Sequence, residues 1–424
     1  MSKLSSKTIS LLLAGVLVFS LAFTGCSSTD AKDKETTTEP KATETPIVKD
    51  EEPTKEPDAK PEVSSIEINN PVAVLGTETS EELYEQAIAE GGKLSVYSIS
   101  SRMETVAETF QAKYPEIKVE VYDMKQNEIV EKVTLEYDAG IHTADVLHIK
   151  DLDGTIYNEY VLKDKFLCYY PLDICEHIDP KYLENGMPLY MELYEWYYNT
   201  EVYPEAPIDS WWDLTREELK GKVMMQNPLN DSSYMAMITS IVLNSDLLEA
   251  DYEREFGEAL TLSEGCSNAG EELLYRLVQN DLIFASSSDE VMEGVGTPGQ
   301  STAPIGLASS SKIRNREKDG LVIEVLEDIK PFLNNPAINY VYMMKGTEHP
   351  AAAKLFIRWI LGEADGKGEG FDQFHTQGGW SFRDDVSLSE GNTPLEDLNM
   401  ITPKLDDIYN SVLDVADFWT FIQK

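Results

Sequence analysis

Basic residues are scarce in this chain: 35 Lys and Arg stand against 76 Asp and Glu in 424 residues, a formal charge of −41. Such a body is repelled by nucleic-acid backbones and anionic lipid surfaces, which argues against either as a partner. The charge does not identify a small solute, because a local cluster of donors can hold an anion inside an acidic protein. Cysteine is also short. Cys26, Cys168, Cys175 and Cys266 are too few and too unevenly placed for a disulfide framework. The five histidines, at 142, 148, 177, 349 and 375, are dispersed. No GxSxG elbow, no HExxH pair and no glycine-rich loop ending in Lys-Ser or Lys-Thr occurs, so the common sequence signals of catalysis are missing. We therefore expect no enzyme, no catalytic residue and no cofactor. A metal site is not expected either: Cys168, Cys175 and His177 lack zinc-motif spacing. Asp151-Leu152-Asp153-Gly154 opens like a calcium loop, but its glycine falls early and its twelfth position is Leu162 rather than Glu.

The one long apolar run, Ile9 to Phe23, follows Lys3 and Lys7 and ends at Thr24-Gly25-Cys26-Ser27. It is too short for a membrane span, and its basic flank and small trailing residues describe an export signal. Leu21 to Cys26 resembles a bacterial lipobox, although Phe23 is bulky for it. The resemblance implies a signal peptide at 1–25 and a lipidated Cys26 that tethers the exported protein to the outer face of the cytoplasmic membrane. Residues 26–69 are rich in Thr, Glu, Pro and Lys, with too little apolar surface to offset ordering entropy, and are expected to form a disordered stalk. A lead-in segment at 70–91 contains a helix-like stretch, Ser80 to Ala89.

The body then alternates periods. Leu94, Val96 and Tyr97 lie in a strand, Met103, Val106, Ala107 and Phe110 recur at helical spacing, and Ser101 to Glu104 fits a capping box. Ile117, Val119 and Val121 alternate, Ile129, Val130, Val133 and Tyr137 return to helical spacing, and Ala144 to Ile149 makes a third strand, a parallel βαβαβ unit. A second unit follows Tyr198. Ser210-Trp211-Trp212-Asp213 starts a helix that Gly221 ends, Lys222 to Gln226 is a strand, and Asp231 caps a helix carrying Met235, Ile238 and Val242. Ser286 to Asp289 starts another helix, Pro304 to Ala308 and Ile338 to Met344 read as strands, and His349-Pro350 opens a further helix.

This ordered set resembles the family 1 extracellular solute-binding proteins of ABC importers, the branch holding ferric-iron, thiamine, polyamine and phosphorylated-sugar binders. The resemblance rests on Lys93 to Ser98, Tyr114 to Val119, Ala144-Asp145-Val146, Tyr198-Asn199-Thr200, Pro207 to Trp212, Gly221-Lys222-Val223, Pro304 to Leu307 and His349 to Phe356, covering roughly residues 92 to 385. It implies an α/β, two-lobed, type II periplasmic-binding-protein-like fold, each lobe a mostly parallel sheet flanked by helices. The amino-terminal lobe would hold 92–195 plus 337–372, the carboxyl-terminal lobe 196–336 plus 373–424. It further implies a monomer that captures a small solute in the interlobe cleft and delivers it to a membrane permease with its ATPase. A solute sensor presenting to a membrane histidine kinase is the alternative employment.

Ligands of open α/β sheets lie beyond the carboxyl ends of strands, where helix amino termini present N–H groups. Four serine turns take that place: Ser98, Ser100 and Ser101; Ser232, Ser233 and Tyr234; Ser287 and Ser288; Ser309 and Ser310. Hydroxyl and N–H groups together suit an oxyanion or a polyol. Tyr97 and Trp380 are candidate stacking residues, His148 and Lys150 end the third strand, and Arg383 could clamp a carboxylate or phosphate. Ferric binders of the family use adjacent tyrosines after the late strand of the second lobe, where this chain has Gly306 to Ser310 without a tyrosine. The expected solute is therefore organic and polar, with phosphorylated compounds among the candidates, and ferric iron is the alternative.

Overall fold

A computed structural model describes residues 67–424. The signal peptide expected at 1–25, Cys26 and nearly all of the stalk expected at 26–69 lie outside the described residues. Apolar alternation resolves into strands β1 (Ala73–Gly76), β2 (Lys93–Ser98), β3 (Lys118–Asp123), β4 (Val146–Lys150), β5 (Phe166–Pro171) and β6 (Met187–Glu192). Then come β7 (Tyr194–Asn199), β8 (Val223–Gln226), β9 (Ile283–Ala285), β10 (Ile305–Ser309) and β11 (Ile323–Val325), and finally β12 (Ala337–Met344).

The first sheet runs β1-β5-β12-β4-β2-β3, with β6 also paired to β12. Its β3-β2-β4 part is parallel and is joined by the helices Arg102–Lys113 and Gln126–Asp138. Strand β4 is buried at every position, as expected of a strand covered on both faces. The second sheet runs β11-β7-β10-β8-β9, parallel across β10-β8-β9 and antiparallel where β7 meets β10 and β11.

Each sheet has its own core. Val96, Phe110, Ile149 and Phe356 lie in the first, Trp196, Trp211, Tyr234 and Trp419 in the second, and Tyr197, Val291 and Leu321 fill the opposite face of the second sheet. The chain passes between the sheets at Leu193, whose N–H donates to Ser310 Oγ at 2.9 Å while its carbonyl accepts from Ser310 N at 2.8 Å. It returns near Asn334, whose Nδ2 donates to the Tyr194 carbonyl at 3.3 Å.

Several expectations need correction. The Trp211 region forms two short 3-10 turns, Trp211–Thr215 and Glu217–Leu219, rather than one helix, because Asp213 Oδ2 accepts the N–H groups of Asp209 and Ser210 and holds a tight turn. Ser101 begins its helix without a side-chain cap. The tail from 373 does not belong wholly to the second lobe: Phe374, Trp380 and Phe382 pack in the first core, and only the final helix, Leu405–Ile422, joins the second through Ile408, Val415 and Trp419. Close approach explains the route. The Gly378 backbone lies so near the Ser310 carbonyl that a Cβ there would sit 2.1 Å from its oxygen, at a φ of +78°.

Candidate functional site

Strand ends and helix starts from both lobes converge on one cluster. From the first lobe, β2 ends at Ser98, β4 at Lys150 and β6 at Glu192, and Arg102 opens the helix after β2. From the second, β10 ends at Ser309 and continues through Ser311 into the 3-10 turn that ends at Arg314. Ser309 Oγ donates to Glu192 across the lobe boundary. Lys150 Nζ lies 2.8 Å from the other Glu192 oxygen. Burial opposes the Glu192 charge, yet Lys150 and Arg102 hold its carboxyl well below the usual carboxylate range.

Arg102 is fixed by aromatic and carbonyl partners instead of an acid. Its Nη2 donates to the Tyr190 hydroxyl and its Nη1 to the Gln373 carbonyl, each at 2.9 Å, and its guanidinium lies 4.8 Å from the centre of the Phe374 ring. Among the described residues, Arg314 donates only through Nη1, to Ser311. Neither arginine forms a salt bridge among the described residues. Burial and the facing charge of Arg102 both push the Arg314 guanidinium below its ordinary value. The other charges at the rim are paired or capping: Lys312 Nζ meets Asp289 at 2.8 Å, and Asp231 accepts the N–H groups of Ser233 at 2.9 Å and Tyr234 at 3.2 Å.

The serine turns divide by task. Ser98 is buried and bonds to His148 Nδ1 at 2.9 Å, and Ser100 Oγ accepts from Arg102 Nε at 3.3 Å. Ser101 is exposed. Burial first, and Arg102 second, push His148 down to about 3, so its imidazole is neutral. Ser233 lies beside Tyr194, Tyr234 donates to the Leu307 carbonyl at 2.9 Å, and Ser288 accepts from Gln226 at 3.0 Å. Ser232 occupies the first turn of its helix, half-buried. Ser287 caps its helix through Glu290 N, and Ser310 stitches Leu193 to the Gly378 carbonyl.

Three expected ligand residues are engaged elsewhere. The Tyr97 hydroxyl donates to Glu136 at 2.9 Å under Lys132, and burial raises it to about 12. Trp380 is buried, with Nε1 on the Thr393 carbonyl at 3.0 Å. Every N–H of Arg383 is occupied, by Asp385 and by the carbonyls of Leu361, Glu363 and Ala364. Asp151 and Asp153 accept N–H groups of Ile156, Tyr157 and Thr155, which makes their stretch a helix-capping loop.

Arg102, Tyr190, Glu192, Arg314 and Phe374 were missed by sequence reasoning. Their available signal was local: Arg102 directly follows a serine turn, and Lys312 and Arg314 directly follow another in an otherwise acidic chain. Among the described residues, two side-chain groups have metal-like geometry, His177 with Asp384 and Asp385, and Asp209 with Asp213 and Glu255. Arginines already engage both: Arg383 bonds Asp385, and Arg216 bonds Asp213 and Glu255. A small cavity is lined by Glu195, Ile313, Glu327, Gln377, Trp380 and Asn392.

A family profile described as bacterial extracellular solute-binding protein matches residues 105–394, more than half of the chain. The chain belongs to that family. This solute-binding protein shares its fold with iron-bound HitA from Pseudomonas aeruginosa, at 14% identity and a TM-score of 0.60 over 78% of this chain and 99% of that one. AfuA from Actinobacillus pleuropneumoniae, with exogenous fructose-6-phosphate bound, matches at 18% identity and a TM-score of 0.60, over 78% of this chain and 98% of that one. The apo ferric ion-binding protein A of Pasteurella haemolytica matches at 17% identity and a TM-score of 0.56, over 78% and 98%. No curated protein matches the chain. In this chain the Arg102, Lys150, Glu192 and Arg314 cluster lies where strand ends of the two lobes meet.

Proposed function

We propose that the protein is the substrate-binding subunit of an ABC-type importer, anchored through lipidated Cys26, and that its solute is a polar organic anion such as a phosphate ester or a carboxylate. One observation carries the reading: in a chain of net charge −41, Arg102 of one lobe and Arg314 of the other come near the same Glu192, and neither forms a salt bridge among the described residues. An anion between Arg102 and Arg314 turns their repulsion into a bridge, with Arg geometry suited to two oxygens at once. Differential binding to the closed form then drives the lobes together and presents a closed surface to the permease.

Ferric iron fits these residues less well. Tyr194 and Tyr234, with ring centres 4.7 Å apart, and Tyr197, whose hydroxyl donates to the Ser309 and Ser310 carbonyls, lie beside the second-lobe serine turns, and burial raises all three hydroxyls well above their ordinary value, against the tyrosinate form. The bound sugar phosphate of AfuA is a precedent for an anionic solute on this fold.

The test is a thermal-shift series with phosphate esters, organic carboxylates, neutral sugars, polyamines and ferric citrate. A ligand of the folded form raises the midpoint by mass action. Protection by an anion that is lost in Arg314→Ala is the expected result, and protection by ferric iron or polyamines alone overturns the reading. Radiolabelled lipid incorporation that is lost in Cys26→Ala checks the anchor.

A further inference from the structure

We propose that the anion loads onto the first lobe before the lobes close, with Tyr190 and Phe374 as positioning residues that hold Arg102 ready for it, and that Arg314 joins only on closure. The inference rests on the reading of the arginine cluster as an anion site and adds the order in which its two halves act.

The two guanidinium groups differ in what fixes them. Arg102 Nε donates to Ser100 Oγ at 3.3 Å, Nη1 to the Gln373 carbonyl and Nη2 to the Tyr190 hydroxyl, each at 2.9 Å. The Phe374 ring centre lies 4.8 Å from the same guanidinium. That ring is itself held, stacked on Tyr190 with centres 4.9 Å apart and meeting His148 edge-on at 5.5 Å. A guanidinium carries five N–H donors, so these three bonds leave one on each terminal nitrogen, the number that an anion with two oxygens takes.

Every one of these partners belongs to the first lobe. Ser100 follows β2, Tyr190 lies in β6, and Gln373 adjoins Phe374, which packs in the first core. Opening of the lobes therefore leaves the anchorage of Arg102 whole. Arg314 is the opposite case: among the described residues it bonds only Ser311, three positions back on its own turn, and nothing in the first lobe. The lysines of the cluster do not alter the contrast, since Lys150 is committed to Glu192 and Lys312 to Asp289. An arginine already fixed loses little further freedom when an anion arrives, whereas an unfixed one has still to be ordered.

Contacts present before closure act on association, and contacts completed by closure act mainly on escape. Stopped-flow tryptophan fluorescence on the full chain, with glucose 6-phosphate and gluconate as probes, separates the two. Arg102→Lys and Arg314→Lys both keep the charge that steers an anion inward and remove only the fork. Arg102→Lys is expected to slow association about tenfold, while Arg314→Lys speeds dissociation about tenfold and changes association by less than about threefold. Tyr190→Phe and Phe374→Leu, which each remove one anchor of Arg102, are expected to slow association by about threefold or more with dissociation little changed. Equal slowing of association by the two lysine variants overturns the loading order, even if Phe374→Leu fails to fold. Association at the wild-type rate in folded Tyr190→Phe and Phe374→Leu proteins overturns the positioning role. Failure of both probes to bind the wild type overturns the anion reading itself, and this inference with it.

Discussion

Lys150 Nζ lies 2.8 Å from Glu192 Oε1, a buried ion pair that ties the end of β4 to the end of β6. Removing one member of such a pair leaves an uncompensated charge out of water. Glu192→Ala is expected to lower unfolding free energy by about 3–5 kcal/mol, and Glu192→Gln by less, since the amide still meets Ser309. Because the Glu192 carboxyl is depressed, its contribution is complete above the unfolded glutamate value of about 4.3 and is lost as pH falls through the lower folded value. Denaturation at pH 7 and at about pH 2 checks this, and a Glu192→Ala protein as stable as wild type at pH 7 contradicts it.

Arg102 and Arg314 oppose each other in the absence of an anion. Arg314→Gln is therefore expected to raise the thermal midpoint of the empty protein slightly while abolishing anion-induced stabilisation. A lower midpoint for the empty variant would show that the guanidinium is structural.

Leu152 follows β4 but is buried in the core of the second sheet, at 3% exposure. Beyond it, the Tyr409 hydroxyl of the last helix donates to Glu159 at 2.7 Å. This loop pegs one lobe into the other, next to Lys150. Leu152→Ala is expected to cost about 2–5 kcal/mol, to weaken solute binding and to widen the small-angle scattering profile of the bound form.

Asp151 is raised to about 7 by burial and by Asp153, against the N–H groups it accepts. A carboxyl with a raised folded value binds its proton more tightly when folded, so its stabilisation is present below about pH 4 and lost as pH rises through about 7. Asp151→Asn is expected to flatten the decline in stability between those values. A slope unchanged in the variant assigns it to another group, for which Glu195, also raised to about 7, is the candidate.

Arg383 satisfies three backbone carbonyls and Asp385 at once. Arg383→Lys cannot reproduce that fork. Its expected effect is a lower thermal midpoint with anion affinity unchanged below the transition; a selective loss of affinity would return Arg383 to the cleft.

Much of the fold was legible because local physics writes it into short windows. The βαβαβ unit from Lys93 to Lys150 shows its periods openly, and Asp231 and Ser287 announce the helices they cap. The helices Ser245–Phe256, Ala269–Gln279 and Leu405–Ile422 went unread, as did β5 and β6, where mixed Tyr, Met and Cys residues obscure the alternation. Serine turns at strand ends were legible as candidate ligand loops, but a hydroxyl next to a helix start suits capping and contact equally well. Ser287 and Ser98 therefore look alike in sequence and differ only in their neighbours.

The sequence alone determined that the chain has α/β periodicity, a leader-like apolar run and an ordered set of segments matching a solute-binding family, because each depends on residues close together in the chain. Only tertiary structure decided that Arg102, Glu192, Ser309 and Arg314 come together where strand ends of the two lobes meet. It also decided that the Trp380 indole bonds the Thr393 carbonyl and that Arg383 is committed to Asp385 and three backbone carbonyls. The reason is physical: charge pairing, burial and orphaned polar atoms depend on distances through space, and those are set by two lobes folding toward each other.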